Sequence, residues 1–297
     1  MGRTSFKSGF IAIIGAPNVG KSTLLNQILG QKISITSEKP QTTRTRILGV
    51  LHRPHAQLIF LDTPGVHQAK QTLNKRMVKV ALGTLGDVDQ ILYLIDASRP
   101  DEESDDFLLK NIKKIKTPVI LAINKVDLIE KESLLPLMET WMTRHPFHAV
   151  VPISALKNIQ IDQLLDEMSA LLPEGPLYFP EDTITDQPVR LIASEMIREK
   201  IFRLTSKEIP YSVAVTIDTF KERPDKNRVD IEATIHVERD SQKGIIIGKG
   251  GAMLKNVGRM ARLDIQRMVG SPVFLKLWVR VQKNWSRDAK ALSGFGY

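Results

Sequence analysis

The sequence of 297 residues contains no cysteine, which excludes disulfides, thiolate zinc sites and cysteine nucleophiles. It also lacks any apolar stretch close to the roughly 18 residues that a membrane-spanning helix needs. The opening residues, MGRTSFKSGF, lack the apolar run of a signal peptide. These absences predict a cytoplasmic protein. The length favours two compact units, each large enough to bury its own core.

The net charge of +9 is unevenly distributed along the chain. Residues 241–297 hold 11 lysines and arginines against two acids, whereas the rest of the chain holds 31 basic and 31 acidic residues. A segment this basic indicates a polyanionic partner, either nucleic acid or an anionic membrane surface. A basic surface that is only solvated is the alternative.

The order of apolar and amphipathic segments predicts two different domains. Residues 1–172 alternate short apolar runs with helical periods, which predicts a P-loop α/β domain with a doubly wound, mostly parallel sheet. Residues 173–188 are rich in proline and acids, as in a linker. Residues 189–297 then show a helix, two alternating strands, a glycine loop, a basic helix, a strand and a short helix. This order predicts a second, smaller α+β domain.

A phosphate-binding motif follows the first apolar run, FIAII. The segment GAPNVGKS matches G-x-x-x-x-G-K-[ST] in the required strand-loop-helix context. Its glycines let backbone N–H groups converge on phosphate oxygens, Lys21 can reach the terminal phosphates, and the Ser22 hydroxyl can ligate Mg²⁺. The motif predicts a nucleoside triphosphate site. The predicted contacts are Gly15, Ala16, Pro17, Asn18, Val19, Gly20, Lys21, Ser22 and Thr23.

A second motif indicates the base. NKVD follows the strand PVILAI, at the sheet edge where a doubly wound fold binds its ligand. The Asp127 carboxylate can accept both N–H groups of guanine, which adenine does not offer there. Asn124 can bridge the base and the phosphate loop, and the Lys125 stem can pack over the ring. A backbone N–H of the segment SAL can complete the pocket, through Ser154, Ala155 and Leu156.

Two segments between these motifs can sense the terminal phosphate. DTPG ends the strand QLIFL, which brings Asp62 near the Mg²⁺ shell and the Gly65 N–H near a γ-phosphate. KPQTTRTR offers a threonine to the metal. Either segment alone could be an ordinary turn.

The series GAPNVGKS, QTTR, DTPG, NKVD and SAL resembles the translation-factor-related GTPases. Together with the C-terminal GKGG segment it resembles the ribosome-assembly GTPases of that family over almost the whole chain. The resemblance implies GTP or GDP and Mg²⁺ as ligands and catalytic roles for Lys21 and Thr43. It implies metal contacts from Ser22 and Thr43, with Asp62 acting through water. Thr43 is preferred to the adjacent Thr42.

One position departs from the signalling GTPases. Val66 follows DTPG, where those enzymes have a water-orienting glutamine, so we expect slow intrinsic hydrolysis. In relatives of this group the asparagine of the phosphate loop helps to bind K⁺. The resemblance therefore implies a catalytic role for Asn18 through K⁺. A loop-stabilising role for Asn18 is the alternative.

The segment GIIIGKGGAMLK contains a second set of glycines but lacks the G-K-[ST] ending of a nucleotide site. Its context, between apolar residues and a basic helix in an α+β unit, is that of a KH domain, which clamps the backbone of about four unpaired nucleotides. Lysines and arginines would supply the salt-dependent affinity. The isoleucines could equally be a buried element end. The predicted RNA contacts are Ile246, Ile247, Gly248, Lys249, Gly250, Gly251, Lys255, Arg259 and Arg262.

The resemblance implies that the RNA is the 3′ end of the small-subunit ribosomal RNA, bound during small-subunit assembly. We predict a GTP-hydrolysing switch in which residues 39–46 and 63–76 sense the γ-phosphate. The alternative is a peripheral membrane signalling GTPase at the inner face of the plasma membrane, with its basic region on anionic lipid. Another is an enzyme that modifies RNA, for which the sequence offers no further nucleophile or metal cluster. No stable homo-oligomer is expected.

Overall fold

The computed structural model describes residues 6–37, 39–40, 42–66 and 72–297. The chain divides into two compact units. The first contains the described residues of Met1–Ser34, Thr43–Lys70 and Asn74–Asp186. The second contains those of Ile35–Thr42, Gln71–Leu73 and Gln187–Tyr297. No helix in the described part of the chain is both long and apolar enough to cross a membrane.

The first unit, as far as it is described, is built on a six-stranded sheet. Its strands are β1 (Lys7–Gly15), β2 (Ile47–Arg53), β3 (Ala56–Asp62), β4 (Gln90–Asp96), β5 (Val119–Asn124) and β6 (Ala149–Pro152). Their order is β2-β3-β1-β4-β5-β6, and β2 alone among them runs antiparallel to its neighbour. The predicted mostly parallel sheet is confirmed. Sequence reasoning missed the edge strand β2.

Helices and apolar strands form the core of this unit. The helices are α1 (Lys21–Leu29), α2 (Thr72–Gly83), α3 (Glu102–Ile112), α4 (Lys131–Arg144) and α5 (Ile161–Leu171). Every residue of β3, β4 and β5 is buried, as the continuous apolar runs predict for a sheet covered on both faces. The Asp101 carboxylate accepts the Ser104 N–H at 3.1 Å and so caps α3.

The segment that composition marks as a linker is hydrogen-bonded to the first unit over much of its length. The Pro173 carbonyl accepts the Ser8 N–H at 3.1 Å, and the Ile184 carbonyl accepts the Val50 N–H at 2.8 Å. Residues up to Asp186 belong to the first unit for this reason. The second unit begins again at Gln187.

The second unit is a smaller α+β fold, as predicted. Its main elements are α6 (Val189–Leu204), β7 (Ala214–Arg223), β8 (Arg228–Val237), α7 (Asp240–Ile247), α8 (Ala252–Val269), β9 (Val273–Val281) and α9 (Ala289–Gly294). The sheet order is β7-β8-β9, with β7 antiparallel and β9 parallel to β8. Sequence reasoning omitted α7. The run of isoleucines looks like a strand, but the Gln242 side chain accepts the Arg239 N–H and helps to cap a helix there.

Candidate functional site: a nucleotide edge and a second glycine loop

Parallel strands bring three sequence motifs to one edge of the first unit's sheet. β1, β3, β4 and β5 end at Gly15, Asp62, Asp96 and Asn124, and their registers place these ends together. The carboxyl edge of a doubly wound sheet is where such folds bind ligands. The phosphate loop (Gly15–Ser22), DTPG and NKVD therefore meet at a single site.

The backbone of the phosphate loop requires glycine at Gly20. This residue has φ +104°, and a Cβ added to it would lie 2.3 Å from Asn124 Nδ2. Asn124 Nδ2 also donates to the Val19 carbonyl at 2.7 Å. Asn124 thus ties NKVD to the phosphate loop, and any side chain at Gly20 would break that contact.

Lys21 lies inside this loop and is almost completely buried. Its Nζ donates to the carbonyls of Gly15 at 3.0 Å and Ala16 at 2.8 Å. Burial lowers the pKa of Lys21 to about 8, although the nearby Asp62 carboxylate partly opposes that shift. An anion placed in the loop would favour the charged form of Lys21.

Four buried oxygen-bearing side chains form a cluster beside Lys21, which we call the oxygen cluster (Ser22, Ser34, Thr43 and Asp62). Asp62 Oδ2 accepts the hydroxyls of Ser22 at 2.8 Å and Ser34 at 3.0 Å. The Ser22 and Thr43 hydroxyl oxygens are 2.9 Å apart. Burial raises the pKa of Asp62. Ser34 was missed, because no local sequence signal connects it to the DTPG segment.

The oxygen cluster fits a magnesium ion. Hydroxyl and carboxylate oxygens are the ligands that Mg²⁺ prefers. Asp62 Oδ1 is buried and has no hydrogen-bond partner within the described ranges. A buried carboxylate oxygen without a partner costs free energy, and a cation or its bound water would satisfy it.

The base-recognition motif has defined contacts. Asn124 Oδ1 accepts the Ala155 N–H at 2.9 Å, which joins SAL to NKVD. Lys125 has φ +66°, and its Nζ lies 2.5 Å from Asp96 Oδ2. The Asp127 carboxylate is exposed at the rim. Asp96 was also missed, although its position at the end of the apolar run QILYLI is a signal that could have found it.

The rest of the predicted pocket differs in exposure. Ser154 is buried and its Oγ accepts the Lys157 N–H at 3.1 Å, whereas Leu156 is 74% exposed. Ser154 therefore shapes the SAL turn from within. Leu156 is free of core packing.

The DTPG segment approaches the phosphate loop closely. A Cβ added to Gly65 would lie 2.8 Å from the Pro17 Cα. The Val66 N–H donates to the Gly15 carbonyl at 3.2 Å, and the Val66 side chain is completely buried. Val66 therefore cannot orient a water molecule. The predicted phosphate-sensing segment 63–76 continues into residues 67–71, which lie outside the described residues.

The described residues of Ile35–Thr42, which precede Thr43 in the chain, belong to the second unit and contact α6; we call them the α6-bound segment. Lys39 Nζ donates to the Phe202 carbonyl at 2.5 Å and also to the Thr205 carbonyl. Arg203 donates to Thr36. Carbonyls at a helix C-terminus lack intrahelical donors, so a lysine there is favourable.

A buried arginine holds the other end of the α6-bound segment. Arg198 is 0% exposed and donates to both the Thr42 carbonyl and the Glu195 carboxylate. Thr42 is thus engaged through its backbone, whereas the next residue, Thr43, belongs to the oxygen cluster.

The second glycine loop (Gly248–Gly251) joins α7 to α8. Gly248 has φ +73°, and a Cβ there would lie 2.7 Å from the Met253 Cβ. Gly250 and Gly251 also have positive φ, but a Cβ added to either would meet no described atom within 4 Å. One side of this loop is therefore open backbone beside the exposed Lys249.

The following helix presents its cations on one face. Lys255, Arg259 and Arg262 are exposed at helical spacing, while Val257, Ala261 and Ile265 are buried on the opposite face. One predicted RNA contact, Ile246, is a buried side chain. Ile246 is 0% exposed and packs in the core of the unit, because α7 is a helix that buries this side chain. The neighbouring Ile247 is partly exposed.

The fold and the site define a P-loop nucleotide-binding protein with guanine-type recognition, joined to a KH-type unit. Family comparison agrees: residues 10–125 match the 50S ribosome-binding GTPase family, and residues 208–286 match the KH domain. The chain is 52% identical to the GTPase Era of Geobacter metallireducens and 51% identical to that of Geotalea daltonii, over the full length of each protein. The chain belongs to the Era family of GTPases.

Two solved structures share the whole architecture. One is Era in complex with MgGDPNP and nucleotides 1506–1542 of 16S ribosomal RNA, with a TM-score of 0.94 and 45% identity. The other is a single-residue variant of Aquifex aeolicus Era bound to GDP and AlF4⁻, with a TM-score of 0.94 and 44% identity. Each comparison covers 98% of this chain and 99% of the other.

Proposed function

We propose that this protein is a GTP-hydrolysing switch that binds single-stranded RNA at the 3′ end of the small-subunit ribosomal RNA during assembly of that subunit. The observation that carries the proposal is the pairing of a closed phosphate loop beside an oxygen cluster with an open, basic glycine loop in one chain. The relatives described as GTPase Era support the first half. The relative solved with 16S ribosomal RNA supports the second. Such a ribosomal partner implies a cytoplasmic location.

Hydrolysis depends on positioned groups of the phosphate loop and the oxygen cluster. Ser22 and Thr43 would hold Mg²⁺, and Asp62 would accept a hydrogen bond from its water; the ion supplies charge neutralisation on the phosphates. Lys21 would exchange its two loop carbonyls for phosphate oxygens. Because Val66 is buried and apolar, no side chain at this position orients the attacking water. We therefore expect slow turnover until a partner completes the site.

Asn18 is our candidate for a further contribution to catalysis. It is exposed at the tip of the phosphate loop with φ +65°, a conformation that asparagine tolerates better than most residues. We propose that its side chain helps to bind K⁺ near the phosphates. Faster GTP hydrolysis in KCl than in NaCl at equal ionic strength supports this role, and equal rates contradict it.

The second glycine loop is suited to RNA backbone. Open sides at Gly250 and Gly251 allow a phosphodiester chain to approach within contact distance of the backbone. Lys249 and the exposed face of α8 provide cations around it. Within the described residues, Lys249, Lys255 and Arg262 form no ion pair. Partly exposed Ile247 remains as an apolar contact for a base.

The α6-bound segment supplies a route for coupling the two activities. The peptide bond from Thr42 to Thr43 joins a residue bonded by Arg198 to a residue of the oxygen cluster. We infer that a change at Thr43 when the γ-phosphate is lost is passed along the chain to the α6-bound segment. This is a physical link, and nucleotide state can bias it.

The test is to measure binding of a single-stranded RNA with the small-subunit 3′-terminal sequence, at fixed salt, to protein loaded with a non-hydrolysable GTP analogue or with GDP. Tighter binding in the GTP state, lost in the double variant Gly248→Asp, Lys249→Asp, supports a GTP-gated clamp. A scrambled RNA is the control. Equal binding of both RNAs in both states contradicts the ribosomal target.

The same cations could bind anionic lipid, so the experiment includes a vesicle arm. Flotation with vesicles that contain anionic lipid, without sequence-selective RNA binding, would favour a peripheral membrane GTPase instead. Selective RNA binding without flotation would exclude that interpretation.

A further inference from the structure

In the KH-type unit, part of one face of the three-stranded sheet is exposed among the described residues, while His236 at one end of that face is buried against Phe295. Alternate residues of β8, from Val229 to Ile235, are buried against the helices, and β9 packs its Leu277 toward Gly258 of α8. The opposite residues of β9 point outward, and we call them the outer row (Phe274, Lys276, Trp278 and Arg280). This row lies on the side of the sheet away from the second glycine loop's helix.

Two large aromatic side chains in the outer row are exposed. Phe274 is 49% exposed and Trp278 is 52% exposed. Leaving aromatic rings in water sacrifices the burial free energy that they would supply in a core. An exposed pair on one strand is therefore informative in a way that a single exposed leucine is not.

A cationic side chain lies over each of these two rings. Lys276 Nζ lies 4.7 Å from the Trp278 ring centroid, and the Arg228 guanidinium carbon lies 5.0 Å from that of Phe274. Along β9, ring and cation alternate at a spacing of about 6.6 Å, twice the rise of a strand. The acids of the adjacent strand are paired with cations: Asp230 with Arg228 at 2.7 Å and Glu232 with Lys276 at 3.7 Å.

This pattern fits single-stranded nucleic acid better than a protein surface. Two rings form a patch far smaller than the roughly 800 Å² that each partner buries in a stable protein interface. A platform for bases needs only a ring to stack on and cations for the backbone, as the outer row provides. The basic excess of residues 241–297 has the sign that an RNA strand requires.

We propose that the outer row binds a second stretch of single-stranded RNA, with a base replacing Lys276 over the Trp278 ring and phosphates near Arg280 and the displaced Lys276. The inference rests on the proposed RNA-binding function and adds a surface on the other side of the sheet. RNA that extends beyond the glycine loop would reach it. The row thereby lengthens the RNA segment that the protein recognises.

Tryptophan fluorescence gives a direct readout. The sequence has three tryptophans, of which Trp141 and Trp285 are buried, so Trp278 is the exposed one. A base stacked on Trp278 should quench its emission. The full-length protein is titrated with a pentanucleotide that fills only the glycine loop and with an RNA of about 20 nucleotides. Quenching is expected with the longer RNA only.

Substitutions separate stacking from folding. Trp278→Ala should weaken binding of the longer RNA about tenfold, while Trp278→Phe keeps most of the affinity because a ring remains. Neither should change binding of the pentanucleotide. The matched control is Leu135→Ala, which shortens a 64% exposed apolar side chain of the first unit. It should leave the binding of both RNAs unchanged. Thermal melting of each variant verifies that the fold is intact.

The outcomes distinguish the two proposals. If the unsubstituted protein binds neither RNA, both the proposed RNA-binding function and the outer-row proposal are wrong. If it binds both RNAs but Trp278→Ala binds the longer one equally well, only the outer-row proposal is overturned. If Trp278→Ala loses binding to assembled small subunits but keeps its RNA affinity, the outer row contacts a ribosomal protein. That result would also overturn the outer-row proposal.

Discussion

The two glycine loops of this protein use the same residue types in opposite ways. The phosphate loop is enclosed: Lys21 is 6% exposed, and a Cβ at Gly20 would strike Asn124 at 2.3 Å. The second glycine loop is open: Lys249 is exposed, and a Cβ at Gly250 would meet no described atom within 4 Å. Glycine content alone therefore does not determine the ligand.

The difference teaches that enclosure decides what a glycine loop can hold. An enclosed loop surrounds the end of a compact ligand with N–H donors, which suits a terminal phosphate. An open loop can contact a chain that enters on one side and leaves on the other, which suits a nucleic-acid backbone. The predictions below test this contrast from the largest expected effect to the smallest.

The enclosed lysine should matter most. Lys21→Met preserves length and apolar packing but removes the charge that would face the terminal phosphates. We expect GTP hydrolysis to fall about 100- to 1000-fold, as for other deleted electrostatic donors. Single-turnover hydrolysis measures this. Lys249→Met is the matched control in the open loop and should leave hydrolysis within about twofold; an equal loss in both variants would break the contrast.

Asp127→Asn should change which base the enclosed site accepts. Asparagine presents one acceptor and one donor where aspartate presents two acceptors, so guanine loses a hydrogen bond and xanthine gains one. We expect GTP affinity to fall about 100-fold and XTP affinity to rise. Competition binding with a fluorescent nucleotide measures both. Unchanged discrimination between GTP and XTP would show that another residue reads the base.

Two glycines within the second loop allow an internal comparison. Gly248→Ala combines a positive φ with a Cβ contact of 2.7 Å, so it should destabilise the unit and lower its melting temperature. Gly250→Ala has room for its methyl group and should cost only about 1 kcal/mol of stability. Its methyl group would occupy the open side, so RNA affinity should drop about tenfold. RNA binding unchanged in a folded Gly250→Ala variant would argue against backbone contact there.

Much of this contrast could be predicted from the sequence because its signals are local. GAPNVGKS, NKVD and DTPG each follow an apolar strand, and parallel strands necessarily bring their ends together. The enclosure could not be predicted: Asn124 closes the phosphate loop from the end of β5, and Ser34 reaches Asp62 across the fold. Long-range contacts of this kind leave no periodic signal in a single sequence.

The elements that sequence reasoning missed have similar causes. Strand β2 pairs antiparallel with β3 at the sheet edge, and Gly49 divides its apolar run, ILGVL. Helix α7 is short and ends in three isoleucines, which have high strand propensity. Backbone hydrogen bonds four residues apart define the helix, from the Lys243 N–H to the Arg239 carbonyl and from the Gly248 N–H to the Gly244 carbonyl. Ile246, one of the predicted RNA contacts, is therefore a buried side chain of this helix.

Each cation around the open loop should contribute separately to RNA affinity and to the dependence of that affinity on salt concentration. Lys255→Gln removes one exposed charge without changing the loop, so RNA affinity should fall about fivefold at low salt. The slope of log affinity against log salt concentration should become shallower by about 0.7, the value per phosphate contact on a single strand. Gly250→Ala should leave that slope unchanged. A Lys255→Gln slope equal to the original would place Lys255 outside the RNA footprint.

The smallest effect concerns the ionisation of the enclosed lysine. The pKa of Lys21 is lowered to about 8 by burial, and phosphate beside it would raise that pKa again. Above pH 8 Lys21 is mostly neutral in the free protein, so GTP binding requires Lys21 to take up a proton. GTP affinity is therefore highest below pH 8 and declines as the pH rises through that value. Between pH 7 and 8.5 we expect a decline of about fourfold, measured by calorimetry in buffers of different ionisation enthalpy. Lys21→Met should lack this component, and the same decline in that variant would mean that the titrating group lies elsewhere.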